Sequence, residues 1–146
     1  MSGGNVEAAA LAALAAVGSR FRVHGRVAAT GLDCVGLVAL ALKAGGCGVE
    51  VPTGYALRGG DPVRVAAWLD RVLVRVDAAS PGDVLMLRTG PGQLHFAVRT
   101  RRGLVHADAA LRRVVERPGP VEAPVLGCWR IGNGGGNSGE VGPWRH

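Results

Sequence analysis

The sequence has little from which a metal site, a disulfide framework or a membrane span could be built. Its three cysteines, Cys34, Cys47 and Cys128, form no CxxC pair and are odd in number, which argues against structural zinc and against a set of disulfides. No apolar run approaches the roughly 20 residues that a bilayer-spanning helix needs. Aromatic residues make up only 4% of the chain, so we expect a core of alanine, valine and leucine.

Lysine is almost absent, since Lys43 is the only one and the formal net charge of +6 is carried by arginine. A basic surface favours an anionic partner, such as nucleic acid or a cell-wall polymer, without choosing between them. The sequence contains no phosphate-binding glycine motif and no nucleic-acid module. We therefore do not expect nucleic acid to be the partner.

The first apolar stretch, from Ala8 to Val17, lacks the basic segment that precedes the apolar region of a secretory signal, and Glu7 lies where positive charge is expected. It predicts an amphipathic helix instead. We expect the chain to be made in the cytoplasm without a signal peptide, so that another agent must carry it to any site outside the cell.

The order of the periodic segments predicts an α+β domain over residues 1–131, followed by a Gly-rich, flexible tail over residues 132–146. Three helices come first. They are predicted from Asn5 to Val17 with Val6, Leu11, Leu14 and Val17 on one face, from Cys34 to Gly45, and from Asp61-Pro62 to about Leu73. Strands of an antiparallel meander follow at residues 84–88, 94–100, 104–107, 112–116 and 125–131. Residues 19–31 and 47–60 are predicted as loops.

Cys34 lies where the second of these helices begins, after the two possible capping residues Thr30 and Asp33. The unpaired N–H groups and the positive end of the helix dipole at such a position favour a thiolate, and they predict a lowered thiol pKa. A reactive nucleophile is one interpretation. The other is a buried core residue, because free cysteine is among the most buried residue types.

Two histidines supply the base that a thiol nucleophile needs. His95 and His106 lie on the two arms of one predicted hairpin, and alternation turns His95 away from the apolar face formed by Leu94, Phe96 and Val98. If the arms pair around residues 100–103, the two imidazoles can hydrogen-bond. The pattern predicts a Cys-His-His triad in which Cys34 attacks, His95 is the general base and His106 orients it. His24 either lines the cleft or is merely exposed.

Four segments together resemble a known family. Residues 31–38, Gly-Leu-Asp-Cys-Val-Gly-Leu-Val, are similar to the Asp-Cys-Ser-Gly signature of the NlpC-type peptidoglycan cysteine peptidases. Pro81-Gly82-Asp83 resembles their strand entry, and residues 93–98 and 105–107 resemble the segments that supply the second and third catalytic residues. The resemblance implies a papain-like fold, in which the helix that starts at the nucleophile packs on an antiparallel sheet.

The resemblance also implies an activity and a substrate. The family hydrolyses an amide in the peptidoglycan stem peptide, typically between D-γ-glutamate and a diamino acid, and needs neither metal nor organic cofactor. By this resemblance, Asp33 would contact the free amino group of the substrate, and the N–H of Cys34 would help to form an oxyanion hole. Val35 replaces the usual serine and Phe21 the usual tyrosine, so these two substrate-binding positions are where specificity is expected to differ.

The segment Phe21-Arg-Val-His-Gly-Arg26 is particularly similar to short members of the family carried by phage tails and gene-transfer particles. This similarity implies that the protein acts at the cell wall as part of a virion or phage-like particle, with tail or baseplate proteins as partners of the C-terminal tail. The alternative function is a catalytically inactive structural component of such a tail or baseplate.

Overall fold

The three helices begin where the sequence provides caps or small residues. A computed structural model describes residues 3–51 and 61–132, with α1 at Gly3–Ala15, α2 at Cys34–Ala44 and α3 at Pro62–Val72. The Asp33 carboxylate accepts the N–H of Gly36 at 2.8 Å, and that of Asp61 accepts the N–H of Val63 at 2.9 Å. Both aspartates are therefore N-caps, as the sequence predicts.

Helix α1 differs from the prediction at its start and on its buried face. It begins before Asn5, and its fully buried side chains are those of Ala9 and Ala13. Leu11 is 60% exposed and Leu14 is exposed as well. The predicted apolar face was wrong because small alanine side chains, rather than the larger leucines, let α1 pack closely on α2.

Eight strands follow the expected order, with three that the sequence did not predict. The strands are β1 Arg26–Val27, β2 Gly31–Leu32, β3 Val74–Val76, β4 Val84–Gly90, β5 Gln93–Arg99, β6 Gly103–Asp108, β7 Arg113–Pro118 and β8 Val125–Arg130. Strand β1 lies inside the predicted loop 19–31 and pairs with β2, which begins at the end of that loop. The other six form one antiparallel sheet in the order β3-β8-β4-β5-β6-β7, which confirms the α+β class.

The sheet is buried on both faces. The helices cover one face, where Leu37 of α2 packs in the same core as Val98 and Trp129 of the sheet. A smaller cluster that includes Ala97 and Cys128 lies on the other face. Alternation along β5 therefore follows the predicted pattern, and Cys128 is a core residue as expected.

Two predicted segments fall outside the part of the chain that the structure describes. They are residues 52–60 of the predicted loop and all of the predicted tail except Gly132. Within residues 3–51 and 61–132, no helix combines the length and the apolar character that crossing a membrane would require.

Candidate active site

Cys34 is the first residue of α2, directly after the short strand β2 and the cap Asp33. Its side chain is only 3% exposed. Backbone hydrogen bonds from Phe96 of β5, and from the first turn of the helix itself, favour the thiolate form of Cys34. The position thus combines a rigid helix start with N–H groups directed at sulfur.

The thiol is nevertheless neutral at physiological pH. Burial is the largest influence and raises the pKa of Cys34 to about 12, and the nearby charge of Asp33 raises the pKa further. The expectation of a lowered pKa was wrong because desolvation of the sulfur outweighs the N–H groups of the helix start.

His95 of β5 and His106 of β6 form a direct pair. His95 Nε2 and His106 Nδ1 lie 2.8 Å apart, and the two rings meet edge to face with their centroids 5.0 Å apart. The paired register of the strands, Val98 opposite Val105, places His106 diagonally across from His95. The predicted contact between the two imidazoles is confirmed, whereas their catalytic roles stay predictions.

Both imidazoles favour the neutral form. Burial and the neighbouring His106 lower the pKa of His95 to about 4. Burial also lowers the pKa of His106, and Arg117 lowers it further while Asp108 opposes the shift. The cysteine and the two histidines are therefore uncharged together near pH 7, which differs from a preformed thiolate–imidazolium pair.

One cleft of about 460 Å³ brings Cys34, His95 and His106 together. Phe21 and Asp33, two of the predicted substrate contacts, line the same cleft. Its other walls are polar at some positions and apolar at others: Val23, His24, Thr89, Gln93, Leu94, Ala107, Asp108, Ala109 and Ala110. Its two carboxylates belong to Asp33 and Asp108, and each lies near an arginine: Arg26 is 3.6 Å from Asp33 and Arg117 is 2.7 Å from Asp108.

Asp33 ties the segment before it to the helix start. Its Oδ1 accepts the N–H of Gly36, its Oδ2 accepts the N–H of His24 at 2.7 Å, and Arg26 lies 3.6 Å from Oδ1. Each carboxylate oxygen can accept more than one hydrogen bond, so a substrate amine remains compatible with these contacts. His24 lines the cleft through this link, although it is also exposed.

Val35 does not share this environment. Its side chain is 4% exposed and packs in the main core, around a small cavity that it lines with Val38 and Trp68. A valine here fills core volume, and the expectation that this side chain binds substrate lacks a structural basis. Phe21, in contrast, is half-buried at the cleft wall.

Two residues beside the histidine pair are not marked by any pattern in the sequence. Asp108 accepts the N–H groups of Ala110 and Leu111, and it accepts a hydrogen bond from Arg117 at 2.7 Å. Arg117 also donates from Nε to Nε2 of His106 at 3.1 Å. Alternation along β6 does place Asp108 on the same face as His106, two residues earlier, whereas the contact of Arg117 depends on the register of β7.

In the described ranges, no group of three or more His, Cys, Asp or Glu side chains is arranged to hold a metal ion.

Three solved structures share this fold. NlpC1 from Trichomonas vaginalis is 18% identical with a TM-score of 0.66, over 87% of this chain and 44% of that one. NlpC2 from the same organism is 16% identical with a TM-score of 0.65, over 87% of this chain and 46% of that one. A protein from Staphylococcus aureus, described as similar to lipoprotein and of the NLP/P60 family, is 18% identical with a TM-score of 0.54 over 86% of this chain and 41% of that one.

These likenesses establish that the chain has an NlpC-type, papain-like fold, as the motifs predict. The chain spans less than half the length of each of the three structures. No family model and no curated protein matches the sequence.

Proposed function

We propose that this chain with an NlpC-type fold is a cysteine peptidase that hydrolyses an amide bond in the peptidoglycan stem peptide. The observation that carries the proposal is the convergence, in one cleft, of a thiol at a helix start and a hydrogen-bonded histidine pair. Nucleophile, base and orienting group are what covalent amide hydrolysis needs. Cys34, His95 and His106 take these roles in that order.

The reaction starts from the neutral thiol. As Cys34 Sγ attacks the substrate carbonyl, His95 accepts the thiol proton, and His95 then gives that proton to the leaving amine when the C–N bond breaks. The resulting thioester is attacked by water, from which His95 takes a proton. Release of the carboxylic acid returns the proton to sulfur and restores the free enzyme. The N–H of Cys34 at the helix start is suited to stabilising the oxyanion.

Two carboxylates in the lining of the cleft support a substrate with a free amino group. Asp33 and Asp108 line it, and both carboxylates lie close to the catalytic side chains. A stem peptide that presents an amine beside the scissile bond fits this charge. We therefore propose the bond between D-γ-glutamate and a diamino acid, with Asp33 and Phe21 as substrate contacts.

Digestion of purified muropeptides, followed by mass analysis of the fragments, tests the proposal. We expect the wild type to cleave and Cys34→Ala to be inactive. Cys47→Ala is the matched control because Cys47 is a buried cysteine of the core, and we expect it to retain activity. No cleavage by the wild type, or equal cleavage by wild type and Cys34→Ala, would rule out this mechanism.

A second candidate function is an inactive structural component of a phage-like tail or baseplate. The observation that favours it is the deep burial of Cys34 with its raised pKa. A neutral alkylating reagent at pH 8.5 separates the two functions. Modification of Cys34 before Cys47 and Cys128 supports the peptidase, because only Cys34 of the three lines the described cleft, whereas equal modification of all three favours the structural component.

A further inference from the structure

His106 is in contact with a group that can only donate a hydrogen bond. Arg117 Nε lies 3.1 Å from His106 Nε2, and a guanidinium has no acceptor. His106 Nε2 must therefore be unprotonated, which puts the proton of the neutral imidazole on Nδ1. That proton points at His95 Nε2, 2.8 Å away.

This arrangement determines the protonation of the base as well. If His95 Nε2 accepts the proton of His106, the neutral His95 carries its own proton on Nδ1. Because Nε2 is occupied, Nδ1 is the nitrogen left for exchange with Cys34. A protonated Nδ1 cannot accept the thiol proton, so His95 is not a base in this tautomer.

The opposite tautomer needs an acceptor at His106 Nε2, and one is adjacent. Asp108 Oδ2 lies 3.9 Å from His106 Nε2, and it also accepts Nη2 of Arg117 at 2.7 Å. If Arg117 Nε moves away, His106 Nε2–H can donate to Asp108. His106 Nδ1 then accepts from His95 Nε2–H, and His95 Nδ1 becomes free to take the thiol proton.

We propose that Arg117 and Asp108 are positioning residues that compete for Nε2 of His106, with Arg117 holding a resting tautomer and Asp108 the catalytically competent one. The consequence for catalysis rests on the proposed function, whereas the tautomer itself does not. Asp108 is the more fixed partner because its side chain is 12% exposed, against 56% for Arg117. Displacement of the more mobile arginine is the step that would free the base.

The charges around the histidine pair are consistent with this competition. Apart from His106 itself, eight ionisable groups line the two cavities that meet at the pair: His24, Asp33, Cys34, His95, Asp108, Glu116, Arg117 and Glu122. Glu116 is already engaged, because it accepts from Thr100 at 3.0 Å and lies 4.0 Å from Arg102. Arg117 and Asp108 are the charged groups that shift the pKa of His106, in opposite directions.

Nuclear magnetic resonance of protein labelled with ¹⁵N-histidine measures the tautomer directly. In the wild type we expect His106 to be protonated on Nδ1, with the resonances assigned through His95→Gln and His106→Gln. Arg117→Met keeps an unbranched apolar side chain and removes every donor, so it should move the proton to Nε2. A wild-type His106 protonated on Nε2, or no change in Arg117→Met, would overturn the proposal.

The alkylation rate of Cys34 at pH 7 measures the consequence for the base. Arg117→Met should raise this rate by about tenfold or more, since positioned general bases contribute factors of that size or larger. Adding Asp108→Asn to Arg117→Met should abolish the gain. The amide oxygen stays at the N–H groups of Ala110 and Leu111, so the N–H₂ group presents a donor to His106 where the carboxylate accepted. Arg101→Met is the matched control: it removes one positive charge from an exposed position, and we expect no change.

An unchanged rate in Arg117→Met would show that Arg117 does not control the base. An equal gain in Arg101→Met would show that losing a positive charge is enough to raise the rate. Either result would overturn the proposal. Failure of the proposed function has a different signature. If no variant cleaves muropeptides while the tautomer and the alkylation rate change as described, the competition for His106 stands and the peptidase assignment falls.

Discussion

Gly36 of α2 packs directly against the backbone of Gly25. A Cβ added at Gly36 would overlap the carbonyl oxygen of Gly25, and one added at Gly25 would overlap that of Gly31. This contact holds the segment that carries Phe21 and His24 against the start of the helix that carries Cys34. The glycine two residues after Cys34 is thus needed for the shape of the cleft rather than for the reaction.

Gly36→Ala should therefore destabilise the protein, although alanine favours a helix. The methyl group meets a backbone atom that cannot rotate away, so we expect a loss of about 2 kcal/mol in the free energy of unfolding, as for other overpacked sites. Urea denaturation measures it. Gly48→Ala is the control, because a Cβ there meets open space, and it should change stability little. Equal stability of the two variants would contradict the close packing.

Asp83 and Arg130 provide a second test of the fold, in the Pro-Gly-Asp motif. Asp83 is fully buried, and it accepts two hydrogen bonds from Arg130, at 3.0 and 2.8 Å, and one from the N–H of Ser80. Arg130→Met leaves a buried carboxylate without its counter-charge, so we expect a loss of about 3 kcal/mol in the free energy of unfolding.

The control for Arg130→Met is Arg88→Met, which removes an exposed arginine from strand β4. The double variant Asp83→Asn with Arg130→Met should recover part of the loss, since no charge is then buried. If the double variant is as unstable as Arg130→Met alone, the loss comes from packing and the charge argument is wrong.

The sequence predicted a helix and its buried face correctly only where a capping residue marks the start and the apolar residues of one face are large. Helix α3 was predicted correctly because Asp61-Pro62 marks its start and because Trp68 and Leu69 are both large and buried. Helix α1 is rich in alanine, which fits both a core and a surface, so its buried face follows from the close approach of α2. Strand β3 is three residues long and pairs with β8, which is far away in the chain, so no local pattern marks it.

The site was predictable to the extent that it depends on one hairpin. Alternation and a short turn were enough to bring His95 and His106 together. The contact of Arg117 with His106 requires the register of β7, and the pKa of Cys34 requires the depth of burial. Neither quantity can be obtained from residue types and spacing, which is why the predicted reactive thiolate is a neutral thiol.

The stability of the protein should fall as the solution is acidified from about pH 6.5 toward pH 4. Burial and His106 lower the pKa of His95 to about 4, below its usual 6.5. Between these values the unfolded chain binds the proton that the folded protein excludes, so folding is favoured above pH 6.5 and loses this contribution as the pH falls. The shift corresponds to roughly 3 kcal/mol.

Urea denaturation at pH 7 and at pH 4.5 checks this dependence, with His95→Gln as the matched variant. The wild type should lose more stability between the two pH values than His95→Gln does. Equal losses in the two proteins would mean that His95 titrates normally in the folded state.

Alkylation of Cys34 should increase with pH without a plateau near neutrality. Burial raises the pKa of this thiol to about 12, so the thiolate fraction rises with every step in pH up to the alkaline range.

The measurement uses iodoacetamide on a Cys47→Ala, Cys128→Ala background, so that Cys34 is the one thiol that reacts. A preformed thiolate–imidazolium pair would instead give a constant rate from about pH 5 to 7, because both partners would already be charged. Such a plateau in the wild type would contradict the neutral pair.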